Sequence, residues 1–116
     1  MSYGTKPPVG VRPGDIVILS NGAVANGTMS QQVRIDPNPD GHPVMVTVYN
    51  HTDAALEVFG ADVDSGAANY MSVMTEKSTG GITVGTQDTF SFTTTAKYLA
   101  FKFLNAASSG VLSIGR

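Results

Sequence analysis

At 116 residues and 12.1 kDa the chain has room for one hydrophobic core and no second domain. Charged residues make up 14% of it, against roughly 25% in an average soluble domain. The formal net charge is only −2, and the basic residues Lys6, Arg12, Arg34, Lys77, Lys97, Lys102 and Arg116 are scattered, which excludes a nucleic-acid binder and a polybasic membrane patch. With no cysteine, a disulfide framework, a thiolate nucleophile and a zinc knuckle are excluded as well, and stability falls to packing and to contacts between subunits.

The first thirteen residues, MSYGTKPPVGVRP, hold three prolines and two glycines and no apolar period. Met1 to Pro13 reads as an extended arm, and residues 14–116 as the folded domain. The arm begins with no basic stretch leading into an apolar one, and no apolar run in the chain approaches the ~18 residues of a membrane span. The expectation is a soluble product of a cytoplasm.

Behind the arm, short apolar runs recur about every ten residues, the spacing of an all-β domain. Ile16 to Leu19 is a continuous apolar run that reads as a strand buried on both faces. Asn21-Gly22 and Asn26-Gly27 supply turn chemistry. Met29, Gln31, Val33 and Ile35 alternate with Ser30, Gln32 and Arg34, predicting a strand over 29–35. After DPNPDGH, residues 36–42, Val44, Val46 and Val48 share one face of the clearest strand, with Met45, Thr47 and Tyr49 on the other. Leu56 to Phe59, Tyr70 to Thr75 and Ile82 to Val84 follow as shorter strands. Thr89 to Thr95 sends Phe90 and Phe92 to one side, Tyr98 to Leu104 does the same with Leu99, Phe101 and Phe103, and Val111 to Ile114 ends the series. Eight or nine short strands without helical periodicity predict one β-sandwich of jelly-roll or Greek-key type.

DPNPDGH opens like a calcium loop, with Asp36, Asn38, Asp40 and Gly41 in the D-x-N-x-D-G positions. The twelfth position, where a bidentate carboxylate is required, is Thr47, and strands rather than helices flank the run. A strand connection accounts for the same residues through turn chemistry, and a different kind of calcium site using Asp36, Asn38 or Asp40 is the alternative. Asp62 and Asp64 form a second acidic loop that reads as a hairpin end. His51 and Asp53 lie close together, but no nucleophile elbow accompanies them. Glu57 and Glu76 read as solvent-facing strand residues rather than a glycosidase pair. No catalytic set and no cofactor is expected. A sugar-binding platform would have to use Tyr3, Tyr49, Tyr70 or Tyr98, since there is no tryptophan.

The arm has the richest contact chemistry. Tyr3, Lys6, Pro7, Pro8, Val9, Val11 and Arg12 offer themselves to a neighbouring subunit, the other reading being a loose tail. A proline-bearing arm, MSYGTKPPVGVRPGD, ahead of a Thr/Ser/Gly/Ala-rich β-domain that ends in GVLSIGR resembles the small decoration or cement proteins of tailed-phage capsids. The resemblance implies a non-enzymatic virion protein made in the host cytoplasm. It further implies a dimer or trimer that binds the major capsid protein, or a similar assembly subunit, and strengthens the shell. The alternative is a small carbohydrate-binding or calcium-supported adhesion module.

Overall fold

The computed structural model describes residues 9–37, 42–61 and 82–116. Among them there are nine strands and no helix: β1 (Val9–Val11), β2 (Ile16–Asn21), β3 (Val33–Ile35), β4 (Val44–Thr52), β5 (Leu56–Ala61), β6 (Thr83–Val84), β7 (Asp88–Thr94), β8 (Tyr98–Phe103) and β9 (Gly110–Gly115). They form two sheets, ordered β1-β3-β8-β5-β6 and β2-β9-β4-β7. The predicted strand over Tyr70 to Thr75 lies outside the described residues.

The antiparallel pairings are nested. β2 pairs with β9, β3 with β8, β4 with β7 and β5 with β6. This is the pattern of a long ribbon doubled back on itself, and the further pairs β4 with β9 and β5 with β8 join its rungs into sheets. One buried cluster draws on both sheets, with Val46, Val48, Leu112 and Ile114 from one and Val33, Leu56, Phe101 and Phe103 from the other. Strict alternation puts these residues on one face of each strand, so every strand contributes its apolar half to the same core.

Three features depart from the linear reading. Val9–Val11, inside the predicted arm, is a strand running parallel to β3, and Val11 is fully buried. Three residues are too few to show a period, and their partner lies more than twenty residues on. The predicted 29–35 strand is shortened to Val33–Ile35, with Met29 in an isolated bridge to Lys102. Here the Ser30 hydroxyl oxygen accepts from the Phe101 backbone N–H at 3.0 Å, so a side chain takes a place in the ladder. Finally, Ile16 and Ile18 are 63% and 62% exposed, where burial on both faces was expected. β2 is an edge strand whose inner residues Val17 and Leu19 pack on the core while its outer face stays open.

Buried polar groups fasten the connections. Asn50 donates to Ala54 O at 2.8 Å and Gly85 O at 2.9 Å, and accepts from Thr52 N at 3.2 Å and Thr52 Oγ1 at 2.6 Å. One amide thereby ties the β4–β5 turn to the β6–β7 turn.

Candidate protein interface

The two sheets differ in what they turn outward. On the β1-β3-β8-β5-β6 sheet the outward residues include Arg34, Glu57 and Lys102, with Glu57 directly opposite Lys102. On the β2-β9-β4-β7 sheet, β4 presents Met45, Thr47, Tyr49 and His51, while β7 presents Thr89, Ser91 and Thr93. On β9, Val111, Ser113 and Gly115 point the same way, Ser113 and Gly115 covered by their neighbours, and β2 adds Ile16, Ile18 and Asn21. None of these is Asp, Glu, Lys or Arg. The charged residues on outward strand positions, Arg34, Glu57 and Lys102, therefore lie on one sheet, while Asp88 at the start of β7 is the single charged residue in the strands of the other.

The uncharged face is ordered. Thr47 Oγ1 and Ser91 Oγ are hydrogen bonded at 2.8 Å across β4 and β7. A Cβ on Gly115 would lie 3.2 Å from Tyr49 Cε2 and 3.4 Å from Ile16 Cγ1, so the absence of a side chain lets the tyrosine ring and the isoleucine close over β9. His51 meets Tyr49 edge-on, ring centroids 6.5 Å apart. Met45, 63% exposed, stands at the other end of β4. Four strands at 4.8 Å spacing and about six residues each give a footprint of roughly 400 Å². Depletion of charge, with Tyr49 within the face and an exposed Met45 at its end, matches the composition of protein interfaces.

A cleft of about 530 Å³ opens beside this sheet, between β2 and the 23–30 stretch, and is lined by Leu19, Val24, Met29 and Phe103 among others. Its walls carry no titratable side chain. That makes it a place for apolar atoms rather than for acid–base chemistry.

The residues singled out from the sequence fall elsewhere. Both Asp36 carboxylate oxygens accept from Arg34 Nε at 2.9 Å, and Arg34 Nη2 closes an ion pair at 2.8 Å. That hydrogen bonding holds the Asp36 carboxyl below the usual range and raises Arg34; the charges of Arg34, Arg12 and Arg116 act on Asp36 in the same sense, and partial burial opposes them. Arg116 also donates to Asp36 O and to Pro37 O. A carboxylate gripped by one guanidinium and faced by two more is poorly placed to ligate a cation. Asn38 and Asp40 lie outside the described residues, as do Asp62, Asp64 and Glu76. Among the described residues no three His, Cys, Asp or Glu side chains come together as a metal site.

His51 and Asp53, neighbours in sequence, are not partners. Asp53 accepts from Ser108 N at 2.8 Å and from Ser108 Oγ at 2.6 Å, and this hydrogen bonding lowers its carboxyl from the usual value. Tyr98, half-buried, lies on the opposite sheet from Tyr49, across from Arg34, so the two tyrosines make no shared platform. Of the proposed arm contacts, Val11 is in the chain's own core, Val9 is 43% exposed at a sheet edge and Arg12 is exposed. Tyr3, Lys6, Pro7 and Pro8 lie outside the described residues.

Sequence reasoning missed Ile16 and Ile18 as surface groups. The available signal was the lack of charge at alternate positions of four strands, but only the strand order gathers those positions on one face. No protein-family model, no curated protein and no solved structure matches the chain.

Proposed function

We propose that the chain is a non-enzymatic structural protein that docks onto a larger protein assembly through the outer face of the β2-β9-β4-β7 sheet. The observation that carries this reading is the absence of charge across that face while the opposite sheet bears Arg34, Glu57 and Lys102. A face of this kind loses little on desolvation and gains from burying Met45, Ile16 and Ile18. The nested strand pairing supports a jelly-roll sandwich, a fold used by capsid and lectin domains. Together with the likeness of its arm and composition to phage decoration proteins, this favours a cement protein on a phage head, with the major capsid protein as partner. Tyr3, Lys6, Pro7 and Pro8, which precede β1, are further candidate contacts with that partner.

The test is binding to shells assembled from a major capsid protein encoded beside this chain's gene. The wild-type protein is expected to sediment with expanded shells, and Met45→Glu, at a 63% exposed site, is expected to weaken that binding at least tenfold while leaving the fold intact. Deleting residues 1–8 should also weaken it; a deletion through Pro13 would remove Val11 from the core and would test folding instead. Equal binding by wild type and Met45→Glu overturns the docking face, and no binding by wild type overturns the capsid reading.

A further inference from the structure

We infer that two copies of the chain join edge to edge through β2, antiparallel about a two-fold axis at Val17, making the uncharged face continuous across both copies. The inference rests on the docking-face reading for its purpose but not for its evidence. Among the described residues each sheet has two edge strands: β1 and β6 in one, β2 and β7 in the other. β1 has three residues and β6 two, so neither offers a ladder of useful length. β7 starts with Asp88 and turns only Thr89, Ser91 and Thr93 outward. β2 is different: six residues, IVILSN, with no charge, no proline, and two isoleucines more than 60% exposed. Edge strands that stay single are ordinarily defended by a lysine, a proline, a bulge or brevity.

One such defence is present and it selects the register. β2 bulges against β9 between Ile18 and Ser20, leaving Ile16-Val17-Ile18 as the regular stretch. A symmetric antiparallel pair centred on Val17 uses that stretch alone. It sets Ile16 opposite Ile18 of the other copy twice on the outer face, and Val17 against Val17 on the core side. An isologous contact meets itself, so a charged strand would repel its copy while a neutral one does not. Pairing therefore completes the backbone hydrogen bonds of the edge and covers the most exposed isoleucines in one step.

Two isoleucine pairs and a short ladder are less than a standard interface, so association is weak and is measured on the pure protein by sedimentation equilibrium up to about 1 mM. The weight-average mass is expected to rise with concentration from 12.1 kDa toward twice that value. Ile16→Lys/Ile18→Lys brings like charges together across the axis and should lower association at least tenfold. Ile16→Glu/Ile18→Lys brings opposite charges together in this register and should restore it. Because both sites are exposed, the variants are expected to keep the wild-type circular dichroism spectrum. Amide exchange of β2 that slows with protein concentration provides a second reading independent of any substitution. A wild-type protein that stays monomeric, one that forms a trimer, an unaffected Lys/Lys variant, or a Glu/Lys variant that remains dissociated would each overturn the inference. Failure here leaves shell binding untouched, and failure of shell binding leaves the dimer untouched, so the two are separable.

Discussion

Replacing Asn50 probes the polar knot beneath the β2-β9-β4-β7 sheet. The side chain is fully buried and makes four hydrogen bonds, two given to Ala54 O and Gly85 O and two received from Thr52 N and Thr52 Oγ1. In Asn50→Ala, Ala54 O keeps Thr52 Oγ1 at 3.3 Å, and Gly85 O belongs to an exposed residue that water can reach. Thr52 N, inside the core, loses its Asn50 acceptor. One newly orphaned buried donor at about 1–3 kcal/mol, with a further contribution from the vacated volume, gives a loss of about 2–4 kcal/mol. Asn50→Asp tests the same geometry through charge. Its carboxylate would set the oxygen that replaces Nδ2 against the carbonyls of Ala54 and Gly85 while the other keeps Thr52 N and Thr52 Oγ1, and burial with that carbonyl contact would raise its folded-state pKa. The native state then holds the proton more tightly than the unfolded state, so stability is greatest below the ordinary carboxylate value of about 3.9 and falls as pH rises above it. Urea unfolding monitored by circular dichroism between pH 3 and neutrality measures both variants, each against wild type at the same pH. An Asn50→Ala cost under about 1 kcal/mol, or an Asp variant whose deficit is the same at both ends of the range, would refute the reasoning.

Two further perturbations separate backbone strain and surface electrostatics. Gly22 and Gly110 both have positive φ, +102° and +113°, yet a Cβ on Gly22 meets nothing within 4 Å, whereas on Gly110 it would enter His51 O and lie 2.7 Å from Thr52 Cα. Gly22→Ala is expected to cost about 1–2 kcal/mol from conformation alone, and Gly110→Ala at least about 2 kcal/mol more because backbone must move; equal unfolding midpoints for the two would contradict this. Asp36→Asn removes a partly exposed ion pair and should cost only about 0.5–1 kcal/mol at neutral pH. Since Arg34 lowers the folded-state pKa of Asp36, its contribution is fully present above the unfolded carboxylate value and disappears as pH falls through the folded one. The wild-type and Asp36→Asn unfolding curves should therefore converge in acid, and a gap that persists at pH 2 would count against it.

What could be read along the chain was local alternation, and what could not was pairing at a distance. Val44–Thr52 shows its faces in sequence because every second residue from Val44 is buried. Asp88–Thr94 and Tyr98–Phe103 do so through Phe92 and through Leu99, Phe101 and Phe103. β1 was hidden because Val-Gly-Val acquires meaning only beside Val33–Ile35. The exposure of Ile16 and Ile18 was hidden because an unbroken apolar run is equally a doubly buried strand or an edge strand with one open face. That ambiguity bears directly on the proposed docking face. Low charge was visible at once, but a low average is compatible with sparse charge everywhere, which would make no docking surface at all. The order β2-β9-β4-β7 decides between these, because it brings four strands with uncharged outward residues side by side while Arg34, Glu57 and Lys102 gather on the other sheet. Segregation, rather than scarcity, is what the proposed docking face requires: one sheet carries outward charged side chains, and the outward residues of the other would give up water to a neighbour at little cost.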